Sequence, residues 1–194
     1  MNKINYIEGD LFAGISNKSS NIMIPHVVNC KGAWGAGFVL PLTKYYPNAR
    51  DEYILWANGK GRTYVGNLIT EESSYAELTS FEMGITQFCK VSDNVVVANM
   101  NAQTLGGGFR PLYYNYLSSC MDKVAQHCED GYCVDGGYEI VAPLFGSGLS
   151  QGDWNIVEEL ITDCWLRKNI NVTIYYLKSS IPKNWQPPMD HTLN

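Results

Sequence analysis

The sequence predicts an α/β protein: a three-layer α/β/α sandwich with a central mixed, largely parallel sheet of about six strands. Two observations lead to this fold class. Strand-like and helical patterns alternate along the chain, and several strand candidates are apolar on both faces, as in residues 22–24, 95–98 and 140–143. Strands covered by helices on both sides have this composition, so we expect helix layers above and below the sheet.

Six segments carry the β-branched and aromatic enrichment that is typical of strands. These segments are 4–8, 21–29, 63–70, 94–100, 138–144 and 171–177. Between residues 63 and 97 the strands follow one another without an obvious long helix, so some antiparallel pairing is expected there. The stretch 71–92 is polar and poorly periodic, and two interpretations of it stay open: an extension of a hairpin, or a short helix.

Apolar residues that recur at three and four positions predict four helices. The predicted helices are 38–46, 49–56, 112–128 and 154–167. Pro111 precedes the third helix, where a first turn tolerates proline. Asp153 stands where the N-cap of the fourth helix is expected. Glu158 and Glu159 lie in the N-terminal part of this helix, the end at which acidic side chains are favoured.

A chain of 194 residues with 45% hydrophobic and 17% charged residues fits one domain. We expect that domain to span residues 1–178. Residues 179–194 form an irregular tail that either wraps the domain or is disordered.

Composition excludes several classes of function. No apolar stretch approaches the ~20 residues of a membrane helix, and residues 1–8 lack the pattern of a secretory signal, so a cytoplasmic protein is expected. We also expect a monomer. The six cysteines show no metal-type spacing, so we expect reduced thiols, no metal and no cofactor. A net charge of −5 argues against binding to RNA or DNA. An anionic ligand must therefore be held by local geometry.

Glycine-rich loops follow three predicted strands, at residues 29–38, 106–108 and 146–152. In open α/β sheets, ligands bind outside the carboxyl ends of the strands, where these loops lie. Glycine allows close approach of the backbone, so successive N–H groups can bind one anion. Two facing loops could therefore clamp a diphosphate without basic side chains. The alternative is that the loops are only tight turns.

A carboxylate stands just past the first predicted strand, in the segment Gly9-Asp10-Leu11. Asp10 can accept a hydrogen bond from an exocyclic amine such as that of adenine, while a neighbouring backbone N–H reaches a ring nitrogen. The alternative is an aspartate that only stabilises a turn after Gly9.

Taken together, these motifs resemble the macrodomain family, over about residues 4–177. The runs that carry the resemblance are 9–11, then 26–38 with Tyr46-Pro47 behind it, then 143–154. They most resemble the branch that contains ADP-ribose 1''-phosphate phosphatases. This branch implies hydrolysis of ADP-ribose 1''-phosphate to ADP-ribose and phosphate. Two alternatives stay open: a non-catalytic module that reads or sequesters ADP-ribose or a related nucleotide, and a hydrolase that removes ADP-ribose from macromolecules.

The resemblance also implies a ligand-binding set. Asp10 and Leu11 would contact adenine, and Asn29 would hydrogen-bond the distal ribose. Phe38 and Phe145 would pack against sugars or base, or equally lie in the core. The glycine loops would contact the ribose and phosphates through Gly35, Ala36, Gly37, Gly146, Ser147, Gly148 and Leu149.

His26 is the best candidate for a catalytic proton carrier, together with Asn29 as its neighbour at the distal ribose. It precedes Asn29 by three residues, imidazole titrates near neutral pH, and the phosphatase branch has a histidine at the same offset. The alternative is a buried histidine satisfied by the backbone, because Pro25 suggests an irregular end of the strand.

Other ADP-ribose-cleaving relatives use a lysine, with or without an acidic residue in the second glycine loop. In this sequence those positions fall near Gln103 and on Ser150, which disfavours the lysine-dependent mechanism. Both residues can still bind phosphate or position water. Asp153 could activate water, but helix capping accounts for it more simply.

Overall fold

The computed structural model of the chain describes residues 2–66, 74–106, 112–129 and 137–188. Within these residues the backbone forms eight strands and five α-helices. In chain order they are β1 (Asn5–Glu8), α1 (Leu11–Ile15), β2 (Asn21–Asn29), α2 (Val39–Tyr45), α3 (Pro47–Ala57), β3 (Gly61–Tyr64), β4 (Tyr75–Leu78), β5 (Thr86–Lys90), β6 (Val95–Gln103), α4 (Tyr114–Glu129), β7 (Tyr138–Pro143), α5 (Trp154–Cys164) and β8 (Val172–Tyr176).

Six of these strands form one sheet in the order β1-β8-β7-β2-β6-β5. The first five are parallel to their neighbours, and β5 is antiparallel to β6 at the edge. Strands β3 and β4 form a separate antiparallel pair. The predicted fold class, a mixed and largely parallel sheet of about six strands, is therefore confirmed, and so is the antiparallel pairing expected before residue 97.

Alternating side chains of the sheet enter two cores, which produces the three layers. On one face, Ile24 and Val97 pack with Leu42 of α2 in a core that also holds residues of α1 and α3. On the other face, Met23 and Ala98 pack with residues of α4 and α5. The doubly apolar pattern of β2 and β6 follows from this arrangement, since both faces of these strands are covered.

The sixth strand of the sheet is not the segment that the sequence suggested. Residues 61–64 form β3 outside the main sheet, and residues 67–70 lie outside the described part of the chain. Strand β5 occupies the edge of the sheet and forms a hairpin with β6. Of the two interpretations of residues 71–92, the structure therefore favours the hairpin. The reason is that Thr86 and Gln87 are buried although polar, so their burial left no hydrophobic pattern in the sequence.

The four predicted helices are present with adjusted ends. The fourth ends earlier than predicted, at Cys164, and a 3₁₀ helix at Leu166–Lys168 continues it before Asn169 takes a left-handed conformation with φ 60°. Asp153 caps this helix as predicted, since its side chain accepts from the backbone N–H of Asn155. The sequence missed α1, which has only five residues, and Pro111 lies outside the described residues.

The chain leaves β8 through a 3₁₀ helix at Lys178–Ser180 and returns to the body of the protein. Trp185 is 6% exposed, and its ring lies 5.0 Å from Tyr6 and 6.1 Å from Trp154, measured between centroids. The part of the tail up to residue 188 therefore wraps the domain. Residues 189–194 lie outside the described part.

Within the described residues, no helix is long and apolar enough to cross a membrane. The same residues contain no group of three or more His, Cys, Asp or Glu side chains arranged to hold a metal ion. Cys30, Cys89, Cys120 and Cys164 form no disulfide, while Cys133 lies outside the described residues.

Candidate functional site

A cleft of about 730 Å³ lies at the carboxyl ends of the parallel strands. Gly9 follows β1, Leu177 follows β8, Leu144 follows β7, and His26 and Gln103 belong to β2 and β6. All of them line the cleft because parallel strands end at the same edge of a sheet. Its volume lies in the range of roughly 300–1,000 Å³ that is common for small-molecule sites.

Two of the predicted glycine loops, which follow the neighbouring strands β2 and β7, line this cleft. Ala36, Gly37 and Phe38 line it from the β2–α2 connection, and residues 146–150 line it from the β7–α5 connection. The loops touch, since a Cβ added at Gly37 would lie 3.3 Å from Leu149 Cδ1. The third loop does not enter this description, because residues 107 and 108 lie outside the described part.

The second glycine loop is held in shape by its own backbone. Gly152 N–H donates to Gly146 O at 2.8 Å, and Gln151 N–H donates to Gly148 O at 3.0 Å. Gly146 has a φ of 75°, a conformation that a side chain would disfavour. Across the described residues, no protein group accepts a hydrogen bond from the backbone N–H of Ser147, Gly148 or Leu149. The loop is therefore closed by its own backbone hydrogen bonds, and these donors remain open to a ligand.

The first glycine loop also has backbone N–H groups without a protein acceptor. No protein acceptor in the described chain pairs with the backbone N–H of Ala36, Gly37 or Phe38. Two sets of unpaired amides therefore belong to loops that line the cleft. Successive backbone N–H groups of this kind bind anions.

Asp10 lines the cleft and also caps α1. Its Oδ1 accepts from Ala13 N–H at 2.8 Å, which is the turn-stabilising role that the sequence left open. In the described structure, its second oxygen accepts no hydrogen bond from the protein, so the carboxylate can bind a ligand amine at the same time. Leu11 also lines the cleft, although it is 4% exposed and belongs to the core.

His26 lines the cleft but is almost fully buried, at 2% exposed. Its Nε2 lies 2.7 Å from Asn99 Oδ1, and its ring stands edge-on to Trp34 with the centroids 5.5 Å apart. Burial lowers the pKa of His26 to about 4, although hydrogen bonds to Asn99 and to the backbone of Val27 oppose the shift. The ring is therefore neutral at pH 7. A side chain, and not the backbone alone, supplies a hydrogen-bond partner for it.

Gln103 and Ser150 both line the cleft and contact each other. Ser150 Oγ donates to Gln103 Oε1. Gln103 ends β6 and Ser150 belongs to the second glycine loop, so this hydrogen bond ties the loop to the end of a central strand. Both side chains therefore stand at the wall of the cleft nearest β6.

Asn29 and Gly35 are the two predicted site residues that do not line the cleft. Asn29 is 5% exposed, and its side chain is occupied by its own loop. Its Oδ1 accepts from Lys31 N–H at 3.0 Å and from Ala33 N–H at 3.1 Å, while its Nδ2 donates to Ala33 O at 2.6 Å. In this geometry Asn29 shapes the loop, and its contact with a ribose stays a prediction.

One wall of the cleft escaped the sequence analysis. Leu177 and residues 179–183 line the cleft beyond β8; the sequence predicted Leu177 as the end of a strand and residues 179–183 as the start of an irregular tail. Lys183 is exposed there. The available signal was Trp185, since a large aromatic side chain in a polar segment indicates a point where the chain returns to the core.

The strand order, the helix layers and the cleft define an α/β sandwich with a cleft at the carboxyl ends of its parallel strands. A macrodomain protein from Streptomyces coelicolor shares this fold, with a TM-score of 0.66 and 29% identity over 89% of this chain and 98% of that chain. A Bacteroides thetaiotaomicron protein of unknown function is 30% identical over 91% of this chain and 99% of that chain, with a TM-score of 0.73. The chain belongs to the macrodomain family.

Curated relatives identify the branch. An ADP-ribose 1''-phosphate phosphatase from Candida albicans is 22% identical over 174 residues, which are 90% of this chain and 99% of that protein. An enzyme of the same name from Meyerozyma guilliermondii is 43% identical over 54 residues, which are 28% of this chain and 30% of that protein. No family model matches the chain. The resemblance to the phosphatase branch that the motifs predicted is thus confirmed.

Proposed function

We propose that the protein binds an ADP-ribose-type nucleotide in the cleft and hydrolyses ADP-ribose 1''-phosphate to ADP-ribose and phosphate. The observation that carries this proposal is the pair of glycine loops that line the cleft and whose backbone amides have no protein acceptor in the described structure. Relatives named ADP-ribose 1''-phosphate phosphatase support the choice of substrate.

The charge of the cleft supports a diphosphate held by amides rather than by basic side chains. Lys183 is the single Lys or Arg that lines the cleft within the described residues, and the net charge of the chain is −5. Backbone N–H groups carry partial positive charge and need no counter-ion, so facing amides can bind a pyrophosphate in an acidic protein.

The strand order supports an orientation for the nucleotide. Asp10 lies past β1, the second glycine loop follows β7, and His26 and Gln103 belong to β2 and β6. With strands about 4.8 Å apart, β1 and β2 are separated by roughly 14 Å across the sheet. An extended ligand would therefore have adenine at Asp10, the diphosphate between the glycine loops, and the terminal phosphate near His26 and Gln103.

The reaction requires a water oxygen to bond to phosphorus while the bond from phosphorus to O1'' breaks. One proton leaves the water, and one proton reaches the departing O1''. With a pKa of about 4, His26 carries a proton in roughly one molecule in a thousand at pH 7. His26 therefore suits the role of proton acceptor from water better than that of acid. The amides of the loops would stabilise charge on the phosphoryl oxygens.

A second candidate is a non-catalytic module that sequesters ADP-ribose. The observation that favours it is the burial of His26, which leaves little of the ring in contact with the cleft. Lysine-dependent removal of ADP-ribose from macromolecules is less well supported, because Gln103 and Ser150 stand at the positions of the lysine and the acid and bond to each other.

Incubation with ADP-ribose 1''-phosphate, followed by assays of phosphate and ADP-ribose, tests the proposal. We expect turnover by the wild type, a large loss in His26→Ala and little change in the control His127→Gln, whose side chain belongs to α4 and does not line the cleft. Calorimetry with ADP-ribose should show that His26→Ala still binds. Binding of ADP-ribose by the wild type without release of phosphate would contradict catalysis and favour sequestration.

A further inference from the structure

A chain of buried polar side chains leads away from His26 across three adjacent strands. Asn99 of β6 is opposite His26 of β2, and Gln87 of β5 is opposite Asn99. His26 Nε2 lies 2.7 Å from Asn99 Oδ1, and Asn99 Nδ2 donates to Gln87 Oε1 at 3.0 Å. Asn99 and Gln87 are completely buried, so their mutual hydrogen bonds replace those of water.

The far end of this chain consists of two backbone carbonyls. Gln87 Nε2 donates to Glu52 O of α3 at 3.0 Å and to Arg62 O of β3 at 2.9 Å. A carbonyl oxygen can only accept hydrogen bonds. The end of the Gln87 amide that faces these carbonyls must therefore be its NH₂ group.

That requirement determines the direction of every hydrogen bond back to the histidine. Because Gln87 presents its oxygen to Asn99, the facing atom of Asn99 must be the donor Nδ2. Asn99 then presents its own oxygen to His26, and this oxygen needs a donor. A neutral imidazole has one N–H group, and the contact with Asn99 places it on Nε2, while the hydrogen bond to the backbone of Val27 favours the doubly protonated ring.

We propose that Asn99 and Gln87 are positioning residues that hold His26 in the Nε2–H tautomer and leave Nδ1 as its basic nitrogen. The backbone carbonyls of α3 and β3, which do not line the cleft, set the donor-to-acceptor direction of these hydrogen bonds. The opposite tautomer would require both amides to flip, and Gln87 Oε1 would then face two carbonyl oxygens.

The catalytic consequence rests on the function proposed above, whereas the tautomer itself does not. A base that accepts a proton from water must present a lone pair in a constant direction. With Nε2–H bonded to Asn99, the ring keeps its orientation when Nδ1 accepts a proton. Neither amide lines the cleft, so both act through His26.

The tautomer can be measured directly by long-range ¹H–¹⁵N correlation of ¹⁵N-labelled protein at pH 7. We expect the His26 ring to show a pyrrole-like Nε2 and a pyridine-like Nδ1. The chain has three histidines, so His26→Gln and His127→Gln assign the signals. A pyridine-like Nε2, or a doubly protonated ring, in the wild type would overturn the proposal without any variant.

Two variants test the series of hydrogen bonds that links His26 to Asn99 and Gln87. Asn99→Leu removes the partner of His26, and Gln87→Met removes the donor to the two carbonyls while keeping the size of the side chain. We expect both to show mixed tautomers, while the control Gln126→Met, at an exposed position on α4, keeps one tautomer. An unchanged Nε2–H tautomer in both folded variants would also overturn the proposal.

Kinetics separate this inference from the proposed function. We expect Gln87→Met to lower kcat about tenfold or more and to leave KM within about twofold, because Gln87 does not contact the ligand. If the wild type has the expected tautomer but no phosphatase activity, the proposed function fails and the positioning chain stands. If the wild type turns over substrate but His26 has the other tautomer, the positioning role of Asn99 and Gln87 is wrong and the proposed function stands.

Discussion

Asp10 has two carboxylate oxygens and two tasks that the structure separates. One oxygen caps α1 through Ala13 N–H, and the other has no partner among the described protein groups. The two interpretations drawn from the sequence, a turn aspartate and a contact for adenine, are therefore compatible. Variants can separate the two tasks, because an asparagine keeps one acceptor but replaces the second oxygen with a donor.

We expect Asp10→Asn to weaken ADP-ribose binding about tenfold, the loss of about one hydrogen bond, with an unchanged melting temperature. Asp10→Ala should lose the cap as well, at a cost of about 1 kcal/mol of stability. Calorimetry and thermal unfolding measure the two effects. Equal affinity of Asp10→Asn and the wild type would show that adenine does not bind there.

His26 also makes stability depend on pH. Its pKa is lowered from 6.5 to about 4 in the folded chain, so the unfolded chain binds the proton first as the pH falls. The contribution is therefore complete above pH 6.5 and is lost as the pH falls toward 4, by about 3 kcal/mol in all.

Denaturant unfolding of the wild type and of His26→Gln at several pH values between 4 and 7 measures this linkage. The free energy of unfolding should fall less steeply with decreasing pH in His26→Gln, since carboxylates common to both proteins cancel in the difference. Parallel pH profiles would mean that the folded protein does not depress the pKa of His26.

At the scale of elements, the two glycine loops differ in what each glycine provides. A Cβ at Gly152 would lie 2.4 Å from Gly146 O and 2.4 Å from Leu112 Cδ2, so this glycine permits the loop to fold back on itself. At Gly148 a Cβ would meet no protein atom within 4 Å. Gly148 lines the cleft, so its missing side chain leaves space there for a ligand.

Gly152→Ala should therefore destabilise the protein by about 1–3 kcal/mol, as overpacking does. Gly148→Ala should change stability by less than about 0.5 kcal/mol but weaken ADP-ribose binding, because the methyl group occupies the path of the phosphates. Thermal unfolding and calorimetry of this matched pair test the assignment. Full affinity in Gly148→Ala would show that the ligand does not approach this part of the loop.

At the scale of the whole molecule, the chain beyond the last strand completes the cleft. Residues 179–183 form one wall, and Trp185 holds the segment against Tyr6, Trp154 and Tyr176. These tilted and edge-to-face ring contacts link the wall of the cleft to β1, α5 and β8. Binding should depend on an anchor that does not itself line the cleft.

Trp185→Ala is expected to cost about 3 kcal/mol of stability and to weaken ADP-ribose binding, whereas Trp185→Phe should retain most of both. Thermal unfolding and calorimetry below the melting temperature of each variant provide the comparison. If Trp185→Ala stays folded and binds as tightly as the wild type, the segment is not part of the ligand site.

Patterns in the sequence predicted the fold class, four of the five α-helices in the described residues, the glycine loops and about half of the residues that line the cleft. They could do so because these features depend on local composition: apolar runs in β2 and β6, periodicity in α4 and α5, and glycines at strand ends. Asp10, Gly37 and Ser147, which the sequence predicted as ligand contacts, line the cleft, and their contact with a ligand stays a prediction.

The roles of several polar and aromatic residues depend on contacts between distant parts of the chain and could not be predicted from local pattern. Gln87 and Asn99 look like surface residues in the sequence, and their burial depends on partners 25 and 73 residues away. The same is true of Asn29, whose amide is taken by its own loop, and of Trp185, which closes on Tyr6 from the far end of the chain. Hydrogen bonds and packing between distant segments leave no local pattern, so they become visible only when the chain has folded.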